Sequence, residues 1–217
     1  MSRIDRIRAT PSLVWFRLDL RLRDNPALVA ALGRGGSIIP VYIWAPKEEG
    51  EWAPGDGSRW WLHRSLACLD AELRVRGSRL VLRRGGSLPT LTRLVRECGA
   101  GAVFWNHRSE PAITARDAHI EAELRAKGVT VETFNSQLLF DPDAVRTGGG
   151  RPFQVFTAFW NGCRSLPPPP EPLPAPRRLP QPAHWPATPA LTDLPLASAS
   201  DRAAAFRNIW EPGRVST

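Results

Sequence analysis

The sequence is poor in the residues that mark secreted, metal-binding or membrane-spanning proteins. Its three cysteines, Cys68, Cys98 and Cys163, form no CxxC pair, so we expect reduced thiols and neither disulfides nor metal ligands. The longest apolar run, residues 38–46, is far shorter than the roughly 20 residues of a membrane-spanning helix. The basic amino terminus is followed by no hydrophobic segment, which argues against a secretory signal. These absences predict a cytoplasmic protein with no membrane contact.

Several signature motifs of catalysis are also missing. The sequence has no GxxxxGK[ST] phosphate loop, no GxGxxG dinucleotide fingerprint, no HExxH metal site and no GxSxG nucleophile. Residue types and spacing therefore give no support to hydrolytic or metal-dependent chemistry, and binding of a dinucleotide through a glycine fingerprint is not expected.

Lysine is nearly absent, whereas arginine is abundant. Lys and Arg together number 29 against 21 Asp and Glu, a formal net charge of +8. Such an excess suits a polyanion such as DNA. However, Lys47 and Lys127 are the only lysines, so the arginines equally fit a compositional habit of the whole chain. Charge alone leaves DNA contact open.

Proline is concentrated late in the sequence. More than half of the 22 prolines lie between residues 167 and 195. Each proline removes a backbone donor and disfavours helix at the preceding residue, so we predict an irregular, extended linker over residues 166–200. A ligand for an SH3-type domain is the less favoured alternative.

Before this stretch, β-rich runs alternate with segments of helical spacing. Asp24 and Asn25 precede Pro26, which is typical of a helix start. Leucines recur at three- and four-residue intervals over residues 62–73. The predicted strands cover residues 12–16, 37–44, 79–82, 102–105 and 129–134. This alternation predicts an α/β domain over residues 1–135, with a doubly wound, Rossmann-like sheet of five parallel strands, helices on both faces and an irregular proline-rich tail.

Aromatic residues stand at the ends of three predicted strands. In this architecture the ligand crevice lies beyond the carboxyl ends of the strands, where Trp15, Trp44 and Trp105 fall. A single tryptophan there usually closes the core. Three at equivalent positions predict a crevice walled by aromatic rings and suited to a planar ligand.

Longer segments match one known family in order and spacing. They are WFRLDLRLRDNPAL (15–28), GSRWWLHRSLACLDAEL (57–73), GSRLVLRRG (77–85), AVFWNHRSEP (102–111) and RPFQVFTAFW (151–160). Together they resemble the photolyase/cryptochrome family. Residues 136–165, which include RPFQVFTAFW, resemble the stretch that connects the two domains of the family. IWEPG (209–213) resembles the first residues of the second domain.

The resemblance implies a light-harvesting role for the α/β domain. In family members with an antenna, a methenyltetrahydrofolate, an 8-hydroxy-deazaflavin or a flavin lies near the strand ends. The positions of this sequence that match that region, and that we expect to contact such a chromophore, are Arg17, Trp44, Lys47, Arg59, Trp105, Asn106 and Glu110. For Asp19, Arg21 and Asp24 we expect ion pairs that fix the loop. The sequence departs from the family pattern at several positions, among them Ser109 and Ala112, so the resemblance does not identify which pigment would bind.

The resemblance also implies where repair chemistry takes place. In the family, blue-light-driven repair of pyrimidine dimers belongs to a second, helical domain that binds FAD and receives the DNA lesion. We expect residues 201–217 to be the start of that domain, and the chain alone to lack photo-lyase activity and to bind DNA weakly and nonspecifically. The alternatives are a stand-alone nucleotide- or flavin-binding module, or a non-functional remnant that self-associates through an exposed docking surface. The sequence does not distinguish a photolyase from a cryptochrome.

Overall fold

The computed structural model describes residues 10–141 and 144–196, and these form an α/β domain with an irregular carboxyl-terminal stretch. The strands are β1 (Ser12–Phe16), β2 (Ile38–Trp44), β3 (Val81–Arg84), β4 (Ala102–Asn106) and β5 (Thr130–Phe134). The α-helices are α1 (Pro26–Arg34), α2 (Asp56–Val75), α3 (Ser87–Cys98), α4 (Pro111–Ala126) and α5 (Phe156–Ser165). Two short 3-10 segments cover Pro46–Trp52 and Leu191–Asp193.

All five strands are parallel, in the order β3-β2-β1-β4-β5. The chain first builds outward from β1 to β3 and then crosses to β4 and β5, which is the doubly wound arrangement. The point where the order reverses lies between β1 and β4. The predicted fold class is confirmed.

Two apolar layers hold the helices on opposite faces of the sheet. On one face, Leu66 and Leu69 of α2 and Leu28 of α1 pack against Phe16 and Phe104. On the other face, residues of α3 and α4 pack against the remaining side chains of the same strands. That second layer includes Leu91, Leu94, Ile120, Leu124, Leu13, Trp15 and Trp105. Successive strand residues point to opposite faces, so both layers come from the same short apolar runs.

Helix α1 begins where the sequence predicted it. The Asn25 side chain accepts a hydrogen bond from the backbone N–H of Leu28 at 3.1 Å, and Pro26 occupies the first turn. Strand β3 lies two residues later than predicted. Its Arg83 and Arg84 pair with Ile43 and Trp44 of β2, and these tertiary partners extend the strand past its β-rich residues.

The proline-rich stretch is irregular, as predicted, but it packs against the domain. Residues 167–196, here called the proline strap, bury the side chains of Leu179, Leu194 and Leu196 in the same layer as α1 and α2. The backbone N–H of Leu179 donates to the carbonyl of Arg76 at 3.0 Å. The backbone N–H of Ile38 donates to Pro180 at 2.9 Å, which ties the strap to the start of β2. The resemblance of residues 209–213 to a second domain lies outside the described residues.

Neither a membrane-spanning helix nor a metal-binding cluster is found in the part of the chain that the structure describes. No described helix is long and apolar enough to cross a bilayer. In the same ranges, no three His, Cys, Asp or Glu side chains come together in a way that could hold a metal ion. All three cysteines are free thiols.

Candidate functional site

A cleft of about 1110 Å³ lies at the carboxyl ends of β1 and β2. The strand ends form its floor, the 3-10 segment Pro46–Trp52 forms one side, and a face of α2 forms another. This is the edge at which parallel sheets bind ligands. Its aromatic lining residues are Trp15, Phe16, Tyr42, Trp44, Trp52 and Trp61.

The aromatic rings of the cleft differ in how far they are covered. Trp15, Tyr42 and Trp44 are buried, so they form a fixed floor. Trp61, on the first turns of α2, is 37% exposed, and Trp52 is 87% exposed. Burial raises the pKa of the Tyr42 phenol, so this side chain stays neutral at physiological pH.

Trp15 is held by a second tryptophan and by two guanidinium groups. Its ring meets Trp105 edge to face, with 5.6 Å between centroids and 71° between planes. The guanidinium carbons of Arg17 and Arg116 lie 4.9 and 5.4 Å from the Trp15 ring centroid. Trp105 itself is fully buried in the second layer, so it supports the cleft from behind and does not line it.

Arg17 directly follows β1 at the floor of the cleft, and its guanidinium bonds to buried partners. Its guanidinium donates to the Asp117 carboxylate and to the backbone carbonyl of Asn106. Its backbone N–H donates to Asp19 at 2.9 Å. Burial lowers the pKa of Arg17, and the Asp117 carboxylate opposes that shift. Arg17 lines the cleft, but its polar atoms are largely engaged in holding β1, β4 and α4 together.

The Asn106 side chain is a buried connector between three segments. Its amide nitrogen donates to the carboxylate of Asp19 and to the side-chain oxygen of Asn25, the latter at 2.9 Å. Its amide oxygen accepts from the backbone N–H of Ala27 at 3.1 Å. Arg21 completes the loop with a 3.6 Å ion pair to Asp24, as expected. Asn106 is 2% exposed and is not among the residues that line the cleft, and its amide is engaged by these partners instead.

A second polar group, at the cleft rim, is built on Arg108. Its guanidinium donates to both oxygens of Glu49, at 2.7 and 3.0 Å, and to Glu110 at 2.7 Å. Burial alone would lower the pKa of Arg108, but the bonds to Glu49 and Glu110 raise it. The same hydrogen bond from Arg108 lowers the pKa of Glu110. Glu110 is therefore an ionised partner of Arg108 and lies outside the cleft lining.

The seven positions expected to contact a chromophore fall into three groups. Arg17 and Trp44 line the cleft. Trp105 and Asn106 are buried beneath it. The other three lie around it, with Lys47 exposed, Arg59 ion-paired to Asp56, and Glu110 held by Arg108.

Several lining residues were missed by the sequence analysis, and some carried a usable signal. Trp61, Ser65 and Leu69 recur at four-residue intervals, which places them on one face of α2. Trp52 follows a strand end in a segment containing Gly50, which is where ligand-binding loops occur in this architecture. The pairing of Arg108 with Glu49 carried no local signal, because the two residues are far apart in the sequence.

Comparisons with known proteins agree on one family. The family described as DNA photolyase matches residues 12–177. A deoxyribodipyrimidine photo-lyase of Agrobacterium fabrum is 40% identical over 210 residues, which are 96% of this chain and 43% of that protein. Cryptochrome-1 of Arabidopsis thaliana is 46% identical over 170 residues, which are 77% of this chain and 25% of that protein.

Solved structures show the same relationship. A class III photolyase from Agrobacterium tumefaciens superimposes with a TM-score of 0.88 at 40% identity, covering 94% of this chain and 42% of that one. An archaeal photolyase from Sulfolobus tokodaii, solved with two FAD molecules and implying a novel light-harvesting cofactor, gives a TM-score of 0.69 at 25% identity, covering 79% and 38%. The chain spans less than half the length of these relatives.

Proposed function

Because the chain belongs to the DNA photolyase family, we propose that its α/β domain is a light-harvesting domain and that the cleft at β1 and β2 holds an antenna chromophore. Such a pigment absorbs near-ultraviolet or blue light and passes the excitation energy to a flavin. The observation that carries the proposal is the aromatic cleft at the carboxyl ends of the strands.

The residues present fit a planar conjugated molecule. Pockets for small ligands are mostly apolar, with a few polar groups that fix orientation. Here the buried rings of Trp15, Tyr42 and Trp44 offer an apolar floor, and Ser58 and Glu72 add polar atoms to the lining. A volume of about 1110 Å³ is large enough for a folate, a deazaflavin or a flavin.

The cleft also has a cation at its mouth. Arg23 lines the cleft and is exposed, and within the described ranges no hydrogen bond or ion pair engages its guanidinium. The guanidinium groups of the other lining arginines form ion pairs, for example Arg108 with Glu49 and Arg116 with Glu48. This supports a pigment with an anionic tail, such as a phosphate or a carboxylate.

The activity of the whole protein is a further proposal. We propose that the domain serves light-driven, FAD-dependent repair of pyrimidine dimers, on the strength of its similarity to the Agrobacterium deoxyribodipyrimidine photo-lyase. The similarity to an Arabidopsis cryptochrome keeps a cryptochrome role as the second candidate. In either case the described residues contribute light capture, and contact with DNA through this domain would be weak and strongly salt-dependent.

Two expectations stay predictions. One is the cytoplasmic location. The other is self-association through an exposed docking surface, for which the aromatic side chains of α5 are the candidates. Phe156 and Trp160 of that helix stack with 6.5 Å between centroids and are 73% and 49% exposed.

Titration with pigments tests the proposed function. The purified chain is titrated with flavin mononucleotide, methenyltetrahydrofolate and 8-hydroxy-5-deazaflavin, and binding is followed by absorbance after equilibrium dialysis. We expect one of them to bind with one-to-one stoichiometry. Trp61→Ala should weaken binding about tenfold. Its neighbour Trp60, which stacks under Arg64 and does not line the cleft, gives the matched control Trp60→Ala. Absence of saturable binding for all three pigments refutes the antenna role.

A further inference from the structure

Trp52 is unusually exposed for a side chain of its kind. Its indole is 87% exposed, the highest fraction among the large apolar side chains in the described ranges. It nevertheless lines the cleft. A tryptophan that is not covered by its own chain forgoes a large hydrophobic stabilisation, and at the edge of a cleft its ring is open to a ligand.

The exposure of Trp52 does not come from a loosely attached loop. Glu48, four residues earlier, accepts hydrogen bonds from the backbone N–H and the hydroxyl of Ser87, both at 2.6 Å. It also accepts one from Arg116 at 3.2 Å. Glu49 is bound by both terminal nitrogens of the largely buried Arg108. The segment is therefore anchored to α3 and to the loop after β4 by charge-assisted hydrogen bonds.

A single glycine then turns the chain toward the cleft. Gly50 has φ 56° and ψ −129°, a conformation that residues with a Cβ rarely adopt. A Cβ built on Gly50 would meet no atom within 4 Å, so conformation and not space calls for glycine. The turn is closed by a hydrogen bond from the N–H of Ala53 to the carbonyl of Gly50 at 3.3 Å. Two anchored glutamates, a glycine turn and an exposed indole thus follow one another within five residues.

We propose that Trp52 is a pigment-binding residue: the planar chromophore of the cleft stacks on its indole, and Glu48, Glu49 and Gly50 position the ring for that contact. This assignment rests on the proposed function, because it requires a planar ligand in the cleft. Trp61 of α2 lines the same cleft and is also partly exposed, so a second ring is available to the ligand.

Stacking on Trp52 is tested by a footprint and by affinity. Hydroxyl-radical oxidation followed by peptide mass spectrometry reports each tryptophan separately. Without ligand, Trp52 should oxidise rapidly, and saturating flavin mononucleotide or methenyltetrahydrofolate should slow its oxidation several-fold. Trp160, which is 49% exposed on α5 and outside the cleft, is the internal control and should not be protected.

Substitutions separate stacking from simple apolar contact. Trp52→Ala and Trp52→Leu should each weaken pigment binding about tenfold, whereas Trp52→Phe, which keeps a flat ring, should retain most of the affinity. Equal affinities for the Leu and Phe variants would overturn stacking.

The positioning of Trp52 has its own control. Gly50→Ala should lower affinity without touching the ligand, because alanine is strained at this positive φ and the turn must change to relieve that strain. Gly128→Ala introduces a Cβ at another open position of positive φ, +78°, after α4, and should leave affinity unchanged. If the wild-type chain binds no pigment, both the antenna role and this assignment fail. If the wild-type chain binds one and Trp52→Ala binds it equally well, the assignment alone fails.

Discussion

Replacing Asn106 with leucine should destabilise the fold far more than it alters pigment binding. Leucine has the same branched arrangement of side-chain heavy atoms as asparagine, although its methyl groups are bulkier, but it cannot form hydrogen bonds. The Asn106 side chain bonds to Asp19, to Asn25 and to the backbone N–H of Ala27. The substitution therefore removes three hydrogen bonds from a site that is 2% exposed.

The expected loss follows from the partners that remain. Asn25 keeps its cap on Leu28, and Asp19 keeps the backbone N–H of Arg17, so neither oxygen acceptor is left entirely alone. The N–H of Ala27 loses its side-chain partner in the first turn of α1, where no helical carbonyl is available. A buried donor without a partner costs about 1–3 kcal/mol, and the weaker solvation of the Asp19 carboxylate adds to this. We expect a loss of about 3 kcal/mol in the free energy of unfolding, a large fraction of the 5–15 kcal/mol typical of a domain.

Urea unfolding followed by far-ultraviolet circular dichroism measures this loss. Asn161→Leu, at an exposed position of α5, is the control and should change the free energy of unfolding by less than about 0.5 kcal/mol. Pigment affinity of the folded Asn106→Leu chain should stay within about threefold of the wild type, because Asn106 is not among the residues that line the cleft. Full stability combined with lost binding would refute the structural role and restore Asn106 as a ligand contact.

Two further predictions concern the strap and a thiol. Leu179→Ala should lower the free energy of unfolding in urea by about 2–4 kcal/mol, because Leu179 is only 1% exposed. Leu139→Ala, at a 75% exposed position, is the control. A smaller loss for Leu179→Ala than for this control would show that the strap does not fold with the domain. Burial raises the pKa of Cys98 to about 11, so the rate of its alkylation should keep rising above pH 9. Any stability that comes from burying the neutral thiol is present below pH 9 and is lost as the pH rises toward 11. Rates measured by peptide mass spectrometry that level off by pH 9 would contradict this.

The fold was largely predictable from local pattern. Five β-rich runs separated by helical spacing leave few topologies, because parallel strands need crossovers and these are right-handed. The start of α1 was predictable because its cap lies within the same four residues. Strand β3 was misplaced by two residues because Arg83 and Arg84 are recruited by pairing with β2, which no local preference reveals.

The sequence predicted the location of the cleft but not which side chains line it. The positions of the strand ends indicate where the cleft lies, but they do not determine which side chains reach it. Trp15 and Trp105 both stand at the end of a β-rich run and belong to the same layer, yet Trp15 lines the cleft and Trp105 does not, because the cleft lies at β1 and β2. A position at a strand end therefore does not show by itself which of the strand ends border the cleft.

Three arginines of the domain bind backbone carbonyls of the proline strap. Proline has no backbone N–H and interrupts regular structure, so the carbonyls of the strap lack the partners that a helix or sheet would supply. Arginine side chains supply them: Arg76 donates to Pro176 at 3.0 Å, Arg79 to Pro186 at 3.3 Å, and Arg83 to Ala187.

A guanidinium suits these contacts better than a lysine ammonium would. A guanidinium offers five donors in a planar fork, so one group can reach a carbonyl and a second partner at once. Arg83 bonds Ala187 and pairs with Glu97 at 3.0 Å, and Arg79 lies 4.9 Å above the ring centroid of Trp185 while donating to Pro186. A lysine ammonium could not stack and bond in this way. Arginines used to fasten the strap are not available to DNA phosphates, so a net charge of +8 overstates the surface that this domain offers to a nucleic acid.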